Sequence, residues 1–452
     1  MTHSSGTFVI RGTAYHAPSA DALEILDDAV IVVDVDGVIS AVTSAESPEG
    51  RRLLAGETPI VRLNPTQRLI PGLIDTHIHA PQWPQLGTGL DLPLEKWLFE
   101  YTFPLEARFA DVEFAAEVWN HMVPTLLRHG TTTALYFGTV HESATNLLAE
   151  TCARHGQRAF VGRVAMDHPL GTPDWYRDES AMASYESSAR SIERIESIGS
   201  PLVRPVITPR FIPACSDEAL VMLGELADST GVCVQTHCSE SDWAHGYAFE
   251  RFGRSDTEML ENFGLLRAGT VLAHGNHISD DDLNRVSRCG AGVAHCPMSN
   301  SYFADAVFPV RRAIAAGVNV GLGTDVAGGA RPGILSQCSD AVTASRMLDD
   351  GVDRDLDRAS RGVRDSRIDI VTAFHLATAG GAALLGLPTG TFGVGCSFDA
   401  FVVDTTQSTS GLRAWEGIDD EIGLFEKIVR LAGPDCITRV WVACRQVVGN
   451  LA

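Results

Sequence analysis

The ten cysteines of this 452-residue chain include no Cys-x-x-Cys pair, which argues against a disulfide frame or a thiolate metal site and leaves buried reduced thiols. No apolar run approaches the ~18 residues needed to cross a bilayer. Met1 to Arg11 lacks a basic stretch followed by an apolar one, so no secretory signal is expected and the expected compartment is the cytoplasm. Basic tracts are missing too. Lys and Arg number 35 against 57 Asp and Glu, a formal charge of −22, whereas a nucleic-acid binder concentrates cations against phosphates. No internal repeat, low-complexity tract or long linker interrupts the chain. Neither a Walker loop nor a Gly-x-Gly-x-x-Gly turn occurs, since Gly321, Gly323 and Gly328 miss that spacing.

What the chain does have is alternation. Short apolar runs ending in polar residues recur at 73–79, 131–138, 158–167, 203–210, 232–237, 269–274, 290–295 and 319–325. Helix-like stretches fill most gaps, among them Val112 to Arg128, Asp217 to Thr230, Asp280 to Cys289 and Asp305 to Ala316. Eight β-then-α units predict an α/β fold, a closed (β/α)8 TIM-type barrel over residues 69–384, in preference to an open doubly wound sheet. The flanks read differently. Phe8 to Ile10 and Ala29 to Val33 are rich in β-branched residues and precede an Asp36-Gly37 hairpin signal and Val38 to Val42. Phe398 to Val403 and Thr438 to Val448 have the same character. Segments 1–68 and 385–452 are therefore expected to pair into one small composite β-sandwich domain. An aromatic-rich insertion from Pro81 to Asp111 follows the first strand, where a barrel-mouth loop shapes a pocket.

His77 and His79 stand one residue apart at the end of the first apolar run, and a strand sends alternate side chains to the same face. Such a pair alone is as readily two solvated or core histidines. Its position at a strand end, the catalytic rim of a barrel, favours a site. The fifth run ends in His237, the sixth in His274 and the eighth in Asp325. Each has an ordinary reading alone, Asp325 as a helix cap. Four histidines and one aspartate at the ends of runs one, five, six and eight are poorly explained by chance, and nitrogen and carboxylate ligands suit zinc or ferrous iron with a position open to water. Glu240, three residues past His237, is placed to face that water as a proton shuttle, which points to hydrolysis.

Pro71-Gly72-Leu73-Ile74-Asp75-Thr76-His77-Ile78-His79, with the later His237, His274 and Asp325, resembles the amidohydrolase superfamily. Within it the likeness narrows to the guanine deaminases through Asp91 to Leu98, Tyr101-Thr102-Phe103-Pro104, Thr208-Pro209-Arg210-Phe211, Ala294-His295-Cys296-Pro297 and Gly323 to Gly329. The resemblance implies one zinc per chain held by His77, His79, His237 and Asp325, with ferrous iron the second choice. It implies Glu240 as proton shuttle, His274 positioning the water, Asp325 also catalytic, and substrate contacts from Gln82, Arg210 and Phe211. A guanidinium fork suits the acceptors of a purine edge, and a glutamine amide has both donor and acceptor. Phe211 is read either as a stacking ring or as core, and His295 either as lining the pocket or as packing under it. Pro81, Trp83 and Met298 depart from the family pattern and are expected to touch the pocket wall.

The reaction implied is hydrolysis of guanine to xanthine and ammonia by a cytoplasmic homodimer acting on a small-molecule purine, without nucleic acid or membrane. Two rivals stand beside it. One is the same chemistry on another aminated ring, such as 8-oxoguanine, a pterin or a triazine. The other is a non-catalytic scaffold, which the full set of ligand positions argues against. The other zinc deaminase scaffold needs His-x-Glu and Pro-Cys-x-x-Cys, and neither occurs.

Overall fold

The computed structural model describes residues 6–449; the first five residues of the Met1 to Arg11 stretch, and the outer ends of the two terminal segments, lie outside them. Strands occur at all eight apolar runs: Leu73–His79, Thr131–Phe137, Arg158–Gly162 with Val164–Ala165, Val203–Pro205 with Thr208–Pro209, Gln235–Cys238, Val271–His274, Gly292–His295 and Asn319–Leu322. Every pairing among them is parallel. A parallel bridge between Ile207 and Val234 joins the first four positions to the last four. At the other edge Thr76 Oγ1 donates to Leu322 O at 2.9 Å, and Asp325 N donates to His77 O at 2.9 Å, so the eighth position lies against the first.

The sequence makes these strands because their side chains are wanted on both faces. Leu73–His79, Thr131–Phe137, Gln235–Cys238, Val271–His274 and Gly292–His295 are buried at every residue, as strands covered on both sides must be. Two runs are broken. A Cβ at Gly162 would lie 1.8 Å from Thr208 Oγ1, so at this glycine the third and fourth positions approach too closely for any other residue.

The helices between the strands begin at side-chain caps. Asp111 accepts from Glu113 N at 2.9 Å at the head of Val112–Arg128, and Ser279 with Asp282 forms a capping box before Asp280–Cys289. The stretch from Asp305 to Ala316 is not one helix. Only Val310–Ala315 is helical, with Pro309 as its cap and Asp305 in a left-handed conformation at φ +57°. Pro309 has no N–H to give and disfavours a helical Phe308.

The two ends of the chain meet in one eight-stranded sheet: Phe8–Ser19, Ala22–Val33, Ile39–Ser44, Ile60–Arg62, Gln67–Pro71, Ala400–Asp404, Ile437–Val442 and Arg445–Val448. Gly37, at φ +79°, turns the hairpin while Asp34 Oδ1 accepts from Val38 N at 2.9 Å. Phe8, Ile10, Ile31, Phe398 and Trp441 form an apolar layer on one face, and Val9, Val30 and Val32 one on the other. This sheet matters to the site because Gln67–Pro71 runs directly into Leu73–His79. Gly72 N donates to Asp399 O at 2.8 Å, and Arg158 forks onto the Asp399 carboxylate, which fixes the base of the histidine-bearing strand. The Pro81 to Asp111 insertion folds as short helices including Ala80–Gln85, Leu94–Trp97 and Phe103–Ala107. Among the described residues no helix is long and apolar enough to cross a membrane.

Candidate active site

At the C-terminal ends of the parallel strands the predicted histidines converge. His79 Nε2 and His237 Nε2 are 2.9 Å apart, and Asp325 Oδ1 is 3.1 Å from His77 Nε2 and 3.6 Å from His79 Nε2. The approach of the eighth strand to the first requires glycine, since a Cβ at Gly323 would meet His77 Cβ at 2.8 Å. Phe137 packs against all three imidazoles at centroid distances of 4.7 to 4.9 Å. Burial holds His77, His79 and His237 neutral, well below the ordinary imidazole pKa, and their neighbouring cations add to the effect. His237 Nδ1 donates to Arg210 O at 2.6 Å; a carbonyl only accepts, so the proton sits on Nδ1 and Nε2 presents a lone pair to the cluster.

His274 lies between two carboxylates, its Nε2 3.5 Å from Glu240 Oε1 and 3.9 Å from Asp325 Oδ2. Its Nδ1 pairs with Asn300 Oδ1 at 2.9 Å. Burial lowers its pKa, so the neutral ring gives its proton to Asn300 and Nε2 accepts. Burial, then Asp325, pushes Glu240 up to about 8, with Arg210 opposing. The backbone is left-handed at Ser239, just before Glu240, and again at two other strand ends, His274 and Asp325, at φ +48°, +76° and +46°, a conformation that costs a non-glycine residue ~1–3 kcal/mol. Buried Asp256 holds the first of these, accepting from Ser239 N and, at 2.7 Å, from Ser239 Oγ. Asp75 holds the last, accepting from Thr324 N at 3.0 Å and Thr324 Oγ1 at 2.5 Å.

A half-open cavity adjoins this cluster, lined also by Gln82, Trp97, Arg210, Phe211 and Phe303. Phe211 is thus both buried and on the wall. Arg210, 2 % exposed, is spoken for by a residue the sequence reading passed over: Glu106, fully buried, accepts from Arg210 Nη1 at 2.6 Å and Nη2 at 3.1 Å. Gln82 Nε2 and Tyr176 OH donate to the same carboxylate at 3.0 and 2.9 Å. Nothing in the spacing of Phe103-Pro104-Leu105-Glu106 marks it; the only signal was its place in the aromatic insertion. Asn300, Asp256 and Asp75 were likewise unmarked as supports.

The departures from the family pattern lie elsewhere than expected. Neither Pro81, Trp83 nor Met298 lines the cavity. Trp83 points to the Val112–Arg128 helix, donating Nε1–H to His121 Nδ1 at 2.9 Å, and Met298 Sδ accepts from Ala330 N at 3.3 Å behind the wall. His295 also packs under the site, 5.4 Å from Phe308 ring to ring and with Nδ1 3.5 Å from Asn300 Nδ2.

Strand-end imidazoles, two buried carboxylates and an adjoining cavity are the arrangement found in metal-dependent hydrolases. The chain belongs to the amidohydrolase family, described as "Amidohydrolase family", whose model matches residues 68–447. It is 37% identical over 461 residues to the probable guanine deaminase of Schizosaccharomyces pombe, covering 99% of this chain and 84% of that one. It is 34% identical over 455 residues to the guanine deaminase of Dictyostelium discoideum, covering 96% of each. A solved guanine deaminase from C. acetobutylicum with bound guanine in the active site superposes with a TM-score of 0.87 at 29% identity, covering 98% of this chain and 100% of that one.

Proposed function

We propose that this protein is a guanine deaminase, hydrolysing guanine to xanthine and ammonia. The observation that carries the reading is the meeting, in one buried cavity, of the histidine–carboxylate cluster with the donor groups of Arg210 and Gln82. Full-length likeness to guanine deaminases supports it. The architecture of the same proposal is a (β/α)8 barrel over 69–384 with a composite β-sandwich domain from 1–68 and 385–452. It is supported by the parallel pairings, the eighth position lying against the first, and the meeting of both chain ends in one eight-stranded sheet. Ten free thiols fit the cytoplasm, and resemblance adds the homodimer.

The donor set fits a cation. His77 Nε2 and His274 Nε2 are buried without hydrogen-bond partners, and two of the three groups of ligand atoms within 4.8 Å of one another include Asp325. His77, His79, His237 and Asp325 would hold one ion, zinc by their nitrogen and oxygen character with ferrous iron second, and the bound ion lowers the pKa of water so that it attacks at neutral pH. Arg210 and Gln82 hold the carbonyl side of the ring while Phe211 packs on it, which turns C2 and its amino group toward Glu240. Glu240 takes one proton from the water and delivers it to the neighbouring ring nitrogen as the water oxygen bonds to C2. His274 Nε2, an acceptor, orients the water through one of its hydrogens. Asp325 takes the remaining proton and returns it to the amino group, the C2–N bond breaks, and ammonia leaves. Trp97, Phe211 and Phe303 give the cavity its apolar wall.

Steady-state rates on guanine, 8-oxoguanine, a pterin, an aminated triazine and adenine test the assignment. Guanine should have the highest kcat/KM. Adenine should be poor because it has no amino group at C2 and presents a donor where guanine presents its carbonyl. A preference for any other ring, or equal turnover of adenine, overturns it.

A further inference from the structure

Glu106 does not line the cavity and has no part in the proton transfers, yet its side chain accepts four buried hydrogen bonds. We infer that Glu106 sets the polarity of the substrate wall. By accepting from Arg210, Gln82 and Tyr176 it leaves the Arg210 and Gln82 side of the cavity presenting N–H donors, so that this wall selects a ring edge made of acceptors. This rests on the deaminase reading and adds the residue that decides which rings are read.

Four donors reach the carboxylate: Oε1 takes Gln82 Nε2 and Arg210 Nη2, and Oε2 takes Arg210 Nη1 and Tyr176 OH. Four lone-pair positions are thereby filled. Tyr176, having donated to Glu106, accepts from Thr139 Oγ1 at 2.9 Å. The amide of Gln82 is oriented without ambiguity. Ala327 N, which only donates, lies 3.1 Å from Gln82 Oε1, while the carboxylate, which only accepts, lies 3.0 Å from Nε2. The oxygen of Gln82 therefore faces the main chain, and its second N–H is the hydrogen left for the cavity. Arg210 likewise spends one hydrogen of each Nη on Glu106 and keeps the others. Its planar group is fixed further by stacking on Phe103, 4.9 Å from guanidinium carbon to ring centroid. The carbonyl and N7 edge of a 6-oxopurine is two adjacent acceptors, whereas 2,6-diaminopurine keeps the amino group at C2 and places a donor on that edge.

The test compares wild type, Glu106→Gln and Tyr176→Phe, each with metal content measured, on guanine and 2,6-diaminopurine. Binding of unreactive hypoxanthine is measured by calorimetry. Wild type should prefer guanine by at least ~10²-fold in kcat/KM, because a site built to read a hydrogen-bonding pattern leaves buried donors opposed by donors when the pattern is wrong. The carboxamide of Glu106→Gln brings its own N–H groups against Arg210 or Gln82 and turns one of them. Guanine should lose ~10²-fold, chiefly through KM, hypoxanthine binding should weaken in step, and the guanine preference should shrink to within about tenfold with metal retained. Tyr176→Phe keeps three of the four bonds; guanine KM should rise a few-fold without the same rise for 2,6-diaminopurine, and this variant decides the matter if Glu106→Gln does not fold. Equal losses on both rings, or unchanged guanine kinetics in both variants, overturn the inference. A wild type that fails to deaminate guanine yet binds hypoxanthine in a Glu106-dependent way refutes the reaction and leaves the polarity of the wall standing.

Discussion

The cation half and the substrate half of the cavity are built from opposite materials. His77, His79, His237, His274 and Asp325 sit on or just past strand ends, placed by parallel ladders and by neutral, short-range partners such as Arg210 O and Asn300 Oδ1. The substrate half joins Gln82 and Trp97 of the Pro81 to Asp111 insertion to Arg210 and Phe211 just past the Thr208–Pro209 strand, and what ties the two together is one buried ion pair, Glu106 with Arg210, each almost wholly out of water. A ladder tolerates local change because its geometry is shared over many residues. A buried ion pair does not, since removing one partner strands the other charge. The two halves meet in Arg210, whose carbonyl orients His237 and whose guanidinium faces Glu106.

Breaking the cation half should have the largest effect on turnover. His237→Ala should lose metal by elemental analysis and more than about 10³-fold of activity, with near-normal thermal stability after metal is stripped from both proteins; full metal and activity would remove His237 from the set. Glu240→Gln comes next. It should keep metal and fold and lose on the order of 10² to 10⁴ in kcat, because an amide keeps the shape without moving protons.

Breaking the substrate half should show in stability as much as in rate. Arg210→Met leaves Glu106 buried without its cation, and the protein should lose about 3–5 kcal/mol of stability by denaturant titration while kcat/KM for guanine falls roughly tenfold to a few hundredfold, mostly through KM, with metal retained. An unchanged denaturation midpoint would mean that the ion pair does not hold this half together. The smallest effect belongs to the positions that depart from the family pattern. Replacing Met298 by Leu or Trp83 by Phe should change guanine kinetics by no more than about twofold, because both side chains lie behind the wall; a changed ring preference would place them in it.

The same division explains what could be read from the sequence. A strand's two-residue period makes His77-x-His79 legible as a pair on one face, and apolar runs ending in His237, His274 and Asp325 announce where side chains leave the core. Helix bounds such as Val112–Arg128 follow from caps and periodicity, whereas the helix expected over Asp305 to Ala316 shortens to Val310–Ala315 because Pro309 does not fit a helix interior. Glu106, Asn300, Asp256 and Asp75 carry no such mark. Glu106 lies 104 residues from Arg210 and Asp75 249 from Thr324, while Asn300 and Asp256 lie 26 and 17 residues from the side chains they hold, and only the folded arrangement of strands and loops brings each pair together. Sequence position places a ligand on a strand end; it does not say which buried carboxylate will hold an arginine in place.

The central claim is that the cation cluster performs the hydrolysis of the ring that the donor wall selects. Its most direct test is guanine conversion by purified protein in three states: as isolated, stripped by a chelator, and restored with one equivalent of zinc. The account predicts xanthine and ammonia in equal amounts from the first and third states and neither from the second. Undiminished product from protein shown to be free of metal, or no product from protein shown to hold one ion per chain, would contradict it.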